Sequence, residues 1–278
     1  LRSLGIGPDV LICRSEQELP NEEKDKIALF CSVQNNNVIS MHDVDTVYSI
    51  PILLNKQKVD EIILKKLNVK TKKPNLNDWK RVVKAKLHPI KEVNVSFVGK
   101  YTELKDSYKS INEALEHAGI QNKAKVNINF VEAEEITPKN VKKILKNSDA
   151  VLVPGGFGER GIEGMITACK HARENDIPYL GICLGMQVAI IEYARNILKL
   201  KSANSTEFNL ETKFPVIGLI TEWSDISGKQ EKRNINSDLG GTMRLGGQVC
   251  KLKRGSNSFK MYKNIKIVER HRHRYEVN

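Results

Sequence analysis

Apolar and polar positions along this chain fall into two rhythms. Short apolar runs alternate with stretches in which apolar residues recur about every third or fourth position, the marks of buried strands and amphipathic helices. "DVLICRS" (9–15) reads as a short buried strand, and "PNEEKDKIALFCSV" as a helix opened by a proline and acidic residues. "NVISMHDVDTVYSIP" predicts a strand leaving into a loop, and "QKVDEIILKKLNV" an amphipathic helix, so a first block closes near residue 68. The stretch 69–92 is strongly basic and carries Pro74 and Pro89, which suits a linker containing some helix. A second rhythm starts at "VNVSFVGKY" (93–101). A helix in "DSYKSINEALEHAG", a strand in "VNINFVEA", a helix in "TPKNVKKILKN" and a strand in "DAVLVPGG" follow in order. A helix over 161–175, the strand "PYLGIC" and the helix "LGMQVAIIEYARN" complete the alternation. This order predicts an α/β fold with a mainly parallel sheet covered on both faces, whose strand carboxyl ends form the ligand edge. The expected domains are 1–68, a linker 69–92, and 93–278.

Composition narrows the function classes. A hydrophobic fraction of 40% with 28% charged residues is that of a soluble globular chain, and the sequence contains neither a long apolar run nor a secretory leader pattern. The net charge of +12 would suit acidic partners. It comes from 33 lysines against 12 arginines, scattered and not interleaved with aromatics, so the charge is read as solvated faces and nucleic-acid binding is not expected. Five widely spaced cysteines with no C-x-x-C pair or Cys/His zinc pattern fit a reducing, cytoplasmic setting. The chain begins without methionine, and a further segment upstream is expected.

Two glycine-rich turns fall at the ligand edge: "VPGGFGERG" (153–161) and "GICLG" (181–185). A cysteine on a sharp strand-to-helix turn has its side chain pushed out of the sheet, and small neighbours relieve the crowding there. The helix that follows offers free N–H groups and a positive dipole end, which is expected to lower the Cys183 thiol and to let the Leu184 N–H donate to an oxyanion. The bland alternative is a small buried hydrophobe between glycines that let helix pack on strand. The second glycine turn, able to aim backbone N–H groups at the same edge, favours a nucleophile.

"VPGGFGERGIEGMI" with "IPYLGICLGMQ" resembles the class I glutamine amidotransferase domain that uses a cysteine nucleophile. "LICRS", "KIALFC", "ANSTEF", "SDLGGTMRLG" and "ERHRHRYEVN" are similar to stretches of CTP synthases, in the same order along the chain. The resemblance implies the end of a P-loop-type synthetase domain followed by a flavodoxin-like amidotransferase domain. It implies an enzyme that aminates UTP to CTP with ATP, Mg²⁺ and ammonia drawn from glutamine, with GTP as activator, CTP as feedback inhibitor and a homotetrameric assembly. Cys183 would attack the glutamine amide and pass through a glutamyl thioester. Gly156 and Leu184 would supply the oxyanion N–H groups, and Leu184, Gly185, Met186 and Gln187 would line the glutamine pocket with Glu207 and Arg274. Lys26 matches a UTP/CTP-site lysine, His42, Asp43 and Val44 an ATP-touching segment, and Phe157 and Arg160 the GTP-effector region.

The sequence also departs from that pattern. No G-x-x-x-x-G-K-[ST] loop precedes residue 68, so the ATP, UTP and metal sites are expected to lie mainly upstream, with no metal ligand in this chain. The family's His and Glu partners occupy an H-P-E motif, whereas here His88–Pro89 is followed by Ile90. These partners are expected beyond Asn278, which would leave this chain inactive or impaired alone; His117 and His171 are expected at the surface. The rival readings are another cysteine hydrolase or chaperone-like protein on a similar sheet, and a non-catalytic binding remnant.

Overall fold

The computed structural model describes residues 4–100, 102, 105–224, 230–232 and 244–278. The chain groups into two compact units, Leu1–Glu92 with Ser110–Val126, and Val93–Lys109 with Asn127–Asn278. Strand β1 (Leu11–Ser15) pairs in parallel with β2 (Val38–His42), and helix α1 (Asn21–Cys31) connects them. Glu22 and Glu23 sit in the first turn of α1, where they complement its dipole, and Ser32 closes it in the left-handed conformation (φ 54°). Val38 and Ile39 are buried on β2, so this crossover has its own small core.

The loop expected after His42 contains a helix, α2 (Ile50–Lys56). Pro51 lies in its first turn, where a missing N–H costs nothing and a proline favours a helix start. Lys58, at φ 58°, then breaks the chain before α3 (Val59–Lys66), and α4 (Asn77–Leu87) lies within the basic stretch.

In the second rhythm the elements are β3 (Lys91–Gly99), α5 (Lys109–Gln121), β4 (Ala124–Glu132), α6 (Val141–Ile144) and β5 (Ala150–Val153). They continue through α7 (Ile162–Glu174), β6 (Tyr179–Gly181), α8 (Leu184–Asn196) and β7 (Ala203–Ser205). Strands β3 to β6 form one sheet in the order β4-β3-β5-β6, with β3, β5 and β6 parallel as expected. Its core is Val98, Val151 and Val153 from the sheet, against Met165 and Cys169 of α7 and Leu184, Val188 and Ile191 of α8. Beneath that core Glu192, 1% exposed, accepts hydrogen bonds from Arg173 Nε (3.0 Å) and Nη2 (2.8 Å), which ties α8 to α7.

The remaining strands are β8 (Phe214–Leu219), β9 (Glu222–Ser224), β10 (Gln230–Lys232) and β11 (Arg244–Lys251), then α9 (Asn257–Tyr262), β12 (Lys266–His273) and β13 (Tyr275–Val277). They add antiparallel pairing that the βα rhythm did not announce: β9 with β10, β11 with β12, and β8 with β13, whereas β7 runs parallel to β8. No helix among the described residues is long and apolar enough to cross a membrane.

Candidate active site

The turn from β6 into α8 forces Cys183 into φ 53°, ψ −104°, a strained conformation for a residue with a Cβ. The flanking glycines exist for close packing. A Cβ on Gly185 would lie 2.1 Å from the Val153 carbonyl oxygen, and one on Gly181 would lie 2.4 Å from the Gly185 backbone. Helix α8 thus sits directly on the carboxyl ends of β5 and β6, and the elbow holds its strain because the core below fixes both sides. Packing and a reactive turn, set against each other at the level of sequence, are served by the same glycines.

Around the thiol the polar partners come from three other segments. The Cys183 S–H donates to the Arg272 carbonyl of β12 at 3.8 Å, and the Leu184 N–H lies within hydrogen-bonding reach of the sulfur. Gly155 and Gly156 face the same turn: a Cβ on Gly155 would stand 3.4 Å from the Cys183 Cβ, and one on Gly156 would stand 3.1 Å from Leu184 Cδ2. The Gly158 N–H donates to Glu207 Oε1 at 2.8 Å, so the carboxylate is held by the glycine loop itself. Arg274 places its guanidinium carbon 5.4 Å from the centre of the Phe157 ring, and its charge also acts on Glu207. Gly156, Phe157, Cys183, Leu184, Glu207 and Arg274 therefore meet at one edge of the second unit.

The electrostatics correct one expectation. Burial pushes the Cys183 thiol up, the Leu184 N–H pulls it down, and the Glu207 carboxylate pushes it up further, so the helix N-terminus does not prevail. Burial also raises the Glu207 carboxyl, opposed by the Gly158 N–H and then by the charges of Lys100 and Arg274.

The "LGMQ" segment divides between core and cavity. Leu184 is 1% exposed with its side chain in the core, and Gly185, which has no side chain, is packed on β5. Met186 and Gln187 do line a cavity of about 420 Å³, together with Cys183, His271, His273 and Tyr275. Gln187 is fixed there by a 3.1 Å bond from Nε2 to the Tyr275 carbonyl. Arg160 pairs with Glu134 at 2.5 Å and lies 3.7 Å from Glu132.

Lys100 escaped the sequence reading. It is 5% exposed, and its ammonium donates to the Phe157 (3.0 Å) and Gly158 (2.6 Å) carbonyls, clamping the loop that holds Glu207. Burial depresses its ammonium, while Glu207 acts in the opposite sense. Its position directly after the apolar run "VNVSFVG", at a strand's carboxyl end, was the available signal.

In the first unit the expected nucleotide positions do not converge in the same way. Lys26 is exposed on α1 and pairs with Glu23 at 3.1 Å. His42 ends β2 with Nδ1 buried and without a hydrogen-bond partner, the Asp43 N–H donates to the Ser15 carbonyl, and Val44 is half-buried. His88 lies exposed at the end of α4 in this unit, His117 is exposed, and His171, on α7, is half-buried where a surface position was expected. "SDLGGTMRLG" lies mostly outside the described residues.

Comparison with known proteins accords with this geometry. Residues 103–278 match the family described as glutamine amidotransferase class-I, and residues 1–69 match the family described as CTP synthase N-terminus. Among solved structures, the glutaminase domain of Trypanosoma brucei CTPS with bound acivicin is 38% identical to this chain. That match covers 67% of this chain and 68% of that one with a TM-score of 0.58. The chain belongs to the class I glutamine amidotransferase family, a family of glutamine-hydrolysing enzymes, and carries ahead of that domain the N-terminal segment of a CTP synthase.

Proposed function

We propose that the chain serves a glutamine-hydrolysing CTP synthase, which aminates UTP to CTP at the expense of ATP, with Cys183 releasing the ammonia. The observation that carries this reading is the strained elbow. A thiol stands at φ 53° with the Leu184 N–H beside its sulfur, and Glu207 lies close enough to raise it. Glutamine enters with its α-ammonium toward Glu207, its carboxylate toward Arg274, and its side-chain amide over the sulfur. The sulfur forms a bond to the amide carbon, and the Gly156 and Leu184 N–H groups take up the charge on the oxygen. The C–N bond then breaks, ammonia leaves with the thiol proton, and water hydrolyses the thioester.

Proton transfer in this scheme belongs to the H-P-E pair of the resemblance, and none of the six histidines of the sequence stands in such a motif. In this reading turnover is impaired without that pair, because the Cys183 S–H is bonded to the Arg272 carbonyl, which cannot take the proton. Lys26 serves UTP or CTP, and His42, Asp43 and Val44 serve ATP, at the end of a P-loop-type fold. Phe157 and Arg160 serve GTP on a flavodoxin-like sheet, in a cytoplasmic homotetramer. The amination step in this reading also uses Mg²⁺ with ATP, and among the described residues no group of three or more His, Cys, Asp or Glu is placed to hold a metal.

The test is Cys183→Ala in the whole enzyme. Glutamine-dependent CTP formation and glutaminase activity should fall by about 10³-fold or more, while ammonia-supported CTP formation persists. Undiminished glutaminase activity would remove Cys183 from the role of nucleophile.

A further inference from the structure

Three groups on the β11–β12 ribbon form a chain whose direction can be worked out from its last member. His273 Nδ1 lies 3.1 Å from the Tyr275 carbonyl oxygen, which can only accept, so Nδ1 carries the proton. In the neutral ring His273 Nε2 is then a lone pair, and it faces His271 Nδ1 at 3.0 Å. His271 must donate from Nδ1, which leaves its Nε2 unprotonated and aimed at Cys250 Sγ, 3.7 Å away. Cys250 is half-exposed and stands on β11. One backbone carbonyl thus sets both tautomers and presents a free imidazole lone pair to a thiol.

We propose that Cys250, His271 and His273 form a second reactive-thiol site, a modification site for small soft carbon electrophiles of the α-haloamide kind. His271 is the base, and His273 orients it as the third member of a nucleophile–base–orienter set. The thiol proton passes to His271 Nε2, and the resulting imidazolium keeps its Nδ1–H bond to His273 without rearrangement. The sulfur bonds to the α-carbon as the carbon–halogen bond breaks and halide leaves with the electron pair. The imidazolium then returns its proton to water. The Cys250 S–H also lies 3.8 Å from the Gln248 carbonyl, as the Cys183 S–H does from that of Arg272, and neither carbonyl can take a proton; what distinguishes Cys250 is the His271 Nε2 beside its sulfur. A metal reading is disfavoured because the three groups lie in a row, each facing the next. No metal-holding group of three or more such residues occurs among the described residues.

The experiment is limited reaction of the full chain with iodoacetamide at neutral pH, with peptide mass spectrometry resolving each of the five cysteines. Cys13 and Cys31 are half-exposed like Cys250 and serve as internal references for access. Cys250 should label about tenfold or more faster than either, His271→Gln should bring it to the reference rate, and His273→Gln should give an intermediate rate. Labelling of Cys169, which is buried, reports any variant that has unfolded. Should His271→Gln unfold, ¹⁵N imidazole spectra of the unsubstituted protein decide: His271 must be protonated at Nδ1 and bare at Nε2. Labelling of Cys250 at the reference rate, an unchanged rate in folded His271→Gln, or the opposite tautomer would overturn the proposal.

Discussion

The two units carry charged residues in opposite ways. At the elbow of the second unit, Lys100 is nearly buried, Glu207 is held by a backbone N–H, and helix α8 meets the β5 backbone at Gly185. On α1 of the first unit, Lys26 and Glu23 form a pair with side chains 63% and 50% exposed, and nothing packed depends on it. A buried ionisable group must be paired or bonded to persist, whereas an exposed one can sit anywhere on a helix face. Geometry therefore argues for function in the second unit, while in the first the assignment rests on resemblance.

The sharpest way to break this contrast is to add one methyl group. A Cβ at Gly185 meets the Val153 carbonyl at 2.1 Å and its carbon at 2.8 Å, backbone atoms that cannot swing aside. Gly185→Ala should lift α8 off the sheet and cost about 3–5 kcal/mol, at the upper end for overpacking. Gly7→Ala in the first unit, with nothing within 4 Å of the new Cβ, should stay within about 0.5 kcal/mol. Urea unfolding of both variants measures the difference. Equal costs would mean that the elbow is not fixed by close backbone contact.

What the sequence disclosed follows the same line. The parallel order of β3, β5 and β6 was legible because buried strands and helices alternate in sequence, and the two glycine turns marked the ligand edge. The burial of Lys100 was not legible: its place after a predicted strand marked the ligand edge, but the loop 57 residues away that covers it is brought there only by tertiary structure. The antiparallel β11–β12 ribbon escaped because its strand "RLGGQVCK" carries two glycines and its partner "KIVERHRH" has only the adjacent Ile267 and Val268 as apolar residues, so neither shows the alternation that marks a strand. The direction of the Cys183 shift was missed for a different reason. The helix N-terminus was visible in sequence, but the burial and the Glu207 carboxylate that outweigh it are brought to the thiol only by tertiary structure.

An intermediate effect is expected from Glu207→Gln. Losing the carboxylate removes the partner proposed for the glutamine ammonium, which should raise KM for glutamine about 10- to 100-fold, the scale of one charged hydrogen bond. The same substitution removes a negative charge that holds the Cys183 proton on. Because that charge raises the thiol, its loss should move the pH profile of Cys183 alkylation to lower pH, giving faster labelling at neutral pH. Weaker glutamine use together with a more reactive thiol is a combination that a merely misfolded variant does not produce. A profile moved to higher pH would contradict the electrostatic account.

The smallest structural effect is expected at Lys26, and there the contrast between the units is most exposed to test. Its ion pair with Glu23 is solvated on both sides, and such pairs contribute about 0–1 kcal/mol, so Lys26→Gln should leave the unfolding midpoint nearly unchanged. Glutaminase activity, which belongs to the second unit in this reading, should be unchanged as well when measured in the whole enzyme without UTP. Only ammonia-supported CTP formation should respond, through a raised KM for UTP with little change in kcat, as expected when a phosphate-facing cation contributes uniform binding. If UTP kinetics are untouched, Lys26 is a solvated helix residue as its surroundings suggest, and the resemblance has been carried one position too far. If they respond while stability does not, an exposed lysine with no structural duty has been retained for a ligand.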